Sequence, residues 1–160
     1  MAERLSTGLV QALNVTNCIK TVMANSVIYV YSGTQPATAD DTEGSAVLLM
    51  KYTLNAGTFT SGVSTNGLNL DVSVAGVISK AIGEVWAGVG LAAAGVSPGT
   101  QAGWFRWYAN TVVQGASTSA VRMDGAIGTT TSYEMRMSNT MIVEGGTSTF
   151  QSATYTTPKS

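Results

Sequence analysis

The side chains able to carry acid–base or metal chemistry in this 160-residue chain are its nine carboxylates, chiefly Glu84, Asp124 and the run Asp40-Asp41-Thr42-Glu43. Histidine is absent, which removes Ser-His-Asp and Cys-His nucleophile pairs and every histidine-ligated metal in one step. A glycosidase would need two carboxyls about 5–10 Å apart across a cleft. Glu84 stands beside Trp86, and Trp86, Trp104 and Trp107 could form a sugar platform, but no spacing singles out an acid pair. The Asp40–Glu43 run offers oxygen ligands for calcium. An EF-hand loop takes ligands at every second position and a late Glu, and this run lacks that pattern. Its acids read as a solvated loop tip.

Phosphate cradles are missing too. There is no Gly-x-x-x-x-Gly-Lys, and Gly88-Val-Gly90 has no third glycine in register. Cys18 is the only cysteine, so an intrachain disulfide and a cysteine-based zinc site are excluded. Flanked by Asn17 and Ile19, it reads as a small core residue. The expectation is a chain with no catalytic residue, no cofactor and no metal.

The elements that would position these residues are mostly strands. Before them, Ser6–Asn14 can form a short helix with Ser6 or Thr7 as its N-cap, because Leu5, Leu9 and Leu13 recur on one side. Ile19, Val22 and Met23 can continue it for a turn or two. From Val27 the language changes to β-branched and aromatic residues. Val27–Tyr31, Val47–Thr53, Thr58–Thr60, Glu84–Gly90, Trp104–Tyr108, Arg122–Asp124, Tyr133–Met137, Met141–Val143 and Thr147–Thr156 read as extended. Asn66-Gly67 signals a hairpin with Leu68 and Leu70 alternating after it, and Val72, Val74, Val77 and Ile78 suggest a further strand. Gly95–Gly103 reads as a loop.

Strands punctuated by Gly, Asn and Ser every 8–12 residues or so predict an all-β domain, an antiparallel β-sandwich or jelly-roll-like fold with a short N-terminal helix or arm. The expected division is an arm over 1–26, the β domain over 27–157 and a tail over 158–160.

Composition favours wide, permanent contacts and also fits an ordinary secreted β domain. Apolar residues make up 44% of the chain, enough for a core, whereas charged residues are only 11% against roughly 25% in ordinary soluble domains. Net charge is −1 and the eight basic residues are scattered from Arg4 to Lys159, so no Lys/Arg footprint for nucleic acid exists. The longest apolar run, Val85–Val96, has 12 residues, short of the roughly 20 that span a membrane. No signal peptide is visible after Met1-Ala2-Glu3-Arg4, so a soluble chain made in a cytoplasm is expected.

The strand Trp104-Phe-Arg-Trp-Tyr108 carries two expectations. It is a central strand buried on both faces with Arg106 paired or snorkelling, or one aromatic set, Phe105 and Trp107 or Trp104 and Tyr108, is a contact hot spot. The residues that would carry a subunit contact are Leu9, Leu13, Trp86, Trp104, Phe105, Trp107 and Tyr108.

Seven segments then fall in a telling order: Ser6-Thr-Gly-Leu9, Val27-Ile-Tyr-Val-Tyr-Ser-Gly-Thr-Gln-Pro-Ala-Thr-Ala-Asp40, Asn66-Gly-Leu68, Gly76-Val-Ile-Ser-Lys80, Gly103-Trp-Phe-Arg106, Arg122-Met-Asp-Gly125 and Met137-Ser-Asn-Thr140. Together they resemble small structural (decoration- or cement-like) virion proteins of tailed bacteriophages, over most of the chain from Leu5 to Pro158. The resemblance implies a virion component assembled in the host cytoplasm, with no catalytic residue to carry over. Its partners would be the major capsid protein or other virion proteins and its own copies, a trimer being natural at threefold positions. The alternative is a neck, tail or fibre-associated protein with a carbohydrate- or receptor-binding role through Trp86 or Trp107.

Overall fold

The computed structural model describes residues 3–15, 18–71 and 77–156. The β-branched and aromatic runs do form the centre of the fold, an all-β, antiparallel, sandwich-like domain. Seven strands lie side by side: β1 (Arg4–Leu5), β7 (Arg122–Gly128), β6 (Thr100–Tyr108), β2 (Val27–Ser32), β3 (Leu48–Leu54), β5 (Trp86–Gly90) and β10 (Thr147–Thr149), every neighbouring pair antiparallel. Two short strands branch off this path. β8 (Met135–Arg136) runs parallel to the end of β7, and β9 (Met141–Ile142) pairs with the start of β6. A separate antiparallel ribbon joins β4 (Val77–Ser79) to β11 (Thr154–Thr156).

Register decides what each face holds, because side chains alternate along a strand. One row crosses the sheet as Leu5, Met123, Trp107, Ile28 and Tyr52 in neighbouring strands. It belongs to the main core, where Leu9 of α1 (Thr7–Val15), Ile19 of α2 (Ile19–Val22), Met23, Leu68, Ile78 and Trp86 pack over it. The ribbon packs on the same core through Ile78 and Tyr155. Offset by one residue, the opposite face carries Val27, Tyr29, Tyr31, Trp104 and Tyr108 as a smaller core covered by Ala46, Phe59 and Val112 from loops.

The N-terminal segment, expected as an arm, is built into this domain. Arg4 and Leu5 pair with Asp124 and Met123, and Leu9, Ile19 and Met23 are buried with the core strands. Ser6 is the N-cap of α1: its Oγ accepts the Leu9 N–H at 3.1 Å, one of the orphan donors of a first turn. Residues 158–160 lie outside the described residues, as do Val72 and Val74.

Four expectations are corrected. Thr100–Gly103 extends β6 instead of belonging to a loop. Gly103 is there for packing, since a Cβ would strike the Gly33 carbonyl across the strand pair. Thr58–Thr60 joins no strand ladder; its Thr58 carbonyl is held by the Asn66 side-chain amide at 2.8 Å. Asn66-Gly67 does not open a hairpin strand. Asn66 has φ 57°, and beyond it Leu68 bridges to Ser26 while Leu70 bridges to Lys80. Cys18 is exposed just before α2, with its Sγ 3.5 Å from the Thr21 hydroxyl, so it fills no part of the core.

Candidate functional site

The densest collection of ionisable groups lies beneath the loops of the smaller core. It arises from register. Arg106 on β6 faces Asp124 on β7 and Tyr29 on β2, so a cation, an anion and a phenol stand in one row. Arg106 meets Asp124 with two parallel bonds, Nε to Oδ1 at 2.6 Å and Nη2 to Oδ2 at 2.8 Å. Its remaining nitrogen, Nη1, donates to Glu43 Oε1 at 2.9 Å. Arg106 and Asp124 have no solvent exposure.

Glu43 reaches into this row from the loop between β2 and β3. Its Oε1 also accepts the Tyr108 hydroxyl at 2.6 Å, and its Oε2 accepts the Gly115 N–H at 2.8 Å. Burial alone would raise its pKa, but these hydrogen bonds and the Arg106 charge outweigh that, and the carboxyl sits below its ordinary value. Burial pushes the Tyr108 hydroxyl up, and the neighbouring Tyr31 and Glu43 push it further. The phenol therefore stays a hydrogen-bond donor throughout the working pH range.

Arg122, two residues before Asp124 and on the same face, pairs with no carboxylate among the described residues. Its guanidinium instead donates to the carbonyls of Ala39 (2.7 Å), Val113 (2.6 Å), Gly115 (2.8 Å) and Asp40 (3.1 Å). The Asp40 carboxylate in turn accepts the Thr7 N–H at 2.9 Å and the Thr7 hydroxyl at 2.5 Å, holding the first turn of α1. Ser6 Oγ donates to the Ala120 carbonyl at 2.7 Å and accepts the Arg122 N–H at 3.1 Å. The two loops, the start of α1 and the middle of the sheet are thus tied into one polar clamp.

The clamp has little left to react with. Both Asp124 oxygens accept from Arg106, both Glu43 oxygens are occupied, and the Arg106–Asp124 pair is closed to solvent. Glu84 is committed elsewhere. Its oxygens take the Asn69 side chain (2.8 Å), the Asn69 N–H (3.0 Å) and the Trp86 indole N–H (2.7 Å). The proximity of Glu84 to Trp86 in sequence therefore marks an anchor for a buried ring. Among the described residues no group of three or more Cys, Asp or Glu is placed to hold a metal ion, and no helix is long and apolar enough to cross a membrane.

The residues expected to carry a contact are largely spent inside the chain. Leu9, Trp86, Trp104 and Tyr108 have no exposure, Phe105 and Trp107 have 7% and 8%, and Leu13 is half-buried against the main core. Trp104 stacks on Tyr31 with ring centroids 4.6 Å apart, and Trp86 meets Trp107 edge-to-face at 5.7 Å. Rings so enclosed offer no platform to a sugar or a second copy, which corrects the use of Trp86 and Trp107 as binding residues. The aromatic strand is instead central and buried on both faces, with its arginine paired. The loop acids are corrected as well, since Glu43 and Asp40 are clamp residues rather than a solvated tip.

The sequence marked Arg106 as paired or snorkelling, and the structure pairs it; it gave no sign of the roles of Glu43 and Arg122. Glu43 acts on a residue 63 positions away, and the Arg122 guanidinium donates to backbone carbonyls, which leave no mark in side-chain types. No protein-family model, no curated protein and no solved structure matches the chain.

Proposed function

We propose that this chain is a virion structural protein of a tailed bacteriophage, decorating the capsid by binding the major capsid protein and its own copies, without catalysis. The observation that carries the reading is the way charge is spent. The strongest ionic groups are turned inward to brace loops against the sheet, while the outside has few charges and bears large apolar side chains. Among the described residues Ile82 is 91% exposed, Val96 79% and Val15 72%, in the β4–β5 turn, the loop before β6 and the end of α1. A braced, charge-poor surface of this kind favours broad permanent contacts, and repetition over many equivalent sites makes modest contacts sufficient. The ordered segments from Ser6 to Thr140 that resemble phage structural proteins support the same reading.

The protein is expected to sediment with purified particles and to form a defined oligomer, a trimer, by light scattering in solution. Recovery only in the non-particle fraction of producing cells would refute it.

A further inference from the structure

The main sheet ends on an edge that no other described strand covers. β10 is its last strand and pairs with β5 on one side only. The ladder fixes which backbone groups face outward. Gly90 donates to the Gly146 carbonyl at 2.8 Å and Phe150 donates to the Trp86 carbonyl at 2.9 Å, while Ser148 stands opposite Gly88. Residues 146, 148 and 150 thus turn their backbone groups toward β5, and Thr147 and Thr149 turn theirs away from the sheet. No described residue bonds to the outward N–H and C=O groups of these two threonines, and both residues are exposed. Edges of this kind are ordinarily blunted by a charge, a proline or a bulge. Here no charged residue and no proline occurs from Gly145 to Thr157, and the pairing with β5 has no register shift. Apolar side chains flank the edge. Val89, 38% exposed, stands opposite Thr147, and Val96, 79% exposed, follows Gly95, whose carbonyl accepts the Glu144 N–H at 2.8 Å just before β10.

We infer that β10 is a self-pairing edge, which joins the β10 of a second copy antiparallel across a twofold axis at Ser148 and runs the sheet through both molecules. The occupant follows from the edge itself. An axis at Ser148 sets Thr147 opposite Thr149 of the second copy and Thr149 opposite its Thr147, so each pair exchanges two hydrogen bonds and every outward group is satisfied. The threonines also meet as cross-strand pairs, which sheets favour. An identical strand meets no like charge, because β10 carries none. The inference deepens the proposed binding of the chain to its own copies and rests on that reading. A three-residue contact is short, so it links neighbours already held in a repeated array, where modest contacts suffice, and leaves the trimer contact to another surface.

Disulfide trapping in solution tests it without particles, so failure of the edge pairing and failure of the capsid reading are seen separately. In a Cys18→Ser chain, Ser148→Cys would set two thiols across a non-hydrogen-bonded pair with Cα atoms about 4.5 Å apart, within reach of a disulfide. Mild oxidation is expected to link it into a covalent dimer at least about tenfold faster than Thr147→Cys, whose counterpart lies two residues along the partner strand, roughly 8 Å away and beyond that reach. Adding Thr149→Pro to Ser148→Cys removes an outward N–H and no bond to β5, and should slow the linking to the Thr147→Cys rate. Equal linking by Ser148→Cys and Thr147→Cys overturns the inference. Linking that survives Thr149→Pro, in a chain whose circular dichroism shows the fold intact, overturns it too.

Discussion

Asp124 and Arg106 show how much of the clamp rests on one pair. The pair is bidentate and fully buried, so removing one partner strands a charge in the interior. Asp124→Ala is expected to cost about 3–5 kcal/mol in chemical denaturation, whereas an exposed ion pair would cost under about 1 kcal/mol. Glu43 gives a second test with a definite sign. Its folded pKa lies below the ordinary 4.5, so the fold favours the ionised form. That contribution is complete above pH 4.5 or so and is lost as pH falls through the lower folded value. The stability gap between wild type and Glu43→Gln, followed by urea titration, should therefore be wide at neutral pH and close as the solution is acidified through and below the lowered folded value of Glu43. A gap that stays constant with pH would remove Glu43 from the clamp. Arg106 was legible in the sequence because a lone arginine amid four aromatics must be paired or snorkel. Its partners were not, since register across strands, and not proximity in sequence, brings Asp124 and Glu43 to it.

Helix α1 carries a prediction of opposite sign to its propensity. Gly8 sits in its first turn, and in an exposed helix replacing Gly by Ala adds about 1 kcal/mol. Here an added Cβ would strike the Ser119 and Ala120 carbonyls, which are backbone and cannot swing aside. Gly8→Ala is expected to destabilise the protein by about 1–3 kcal/mol through overpacking, and amide hydrogen exchange should show α1 losing protection first. Increased stability would mean that α1 is not docked on that segment. At this scale the sequence revealed what local chemistry dictates: β2 and the aromatic half of β6 from their β-branched and aromatic runs, and the Ser6 cap from its place before the leucine period. It concealed what tertiary contact dictates. β1 has only two residues, and pairing with β7 alone makes them a strand. Asn66-Gly67 carries hairpin chemistry, yet Gly67 packs so closely on Asn25 that a Cβ would hit its backbone, which directs the chain away from a hairpin.

The whole molecule is a sheet with a large core on one face, a smaller aromatic core on the other, and a polar clamp that fixes loops and helix to it. The same inward use of charge leaves Ile82, Val96 and Val15 outside as the apolar residues a neighbour would cover. Replacing Ile82 or Val96 by Ser should leave monomer stability within about 0.5 kcal/mol, as for exposed positions generally, while weakening self-association in light scattering. Unchanged association in both variants would place the contact elsewhere. The central claim is addressed most directly by the copy number of this chain relative to the major capsid protein in purified phage particles, measured by quantitative mass spectrometry. Decoration predicts near-equal numbers of the two chains. Absence of the chain from purified particles would contradict it.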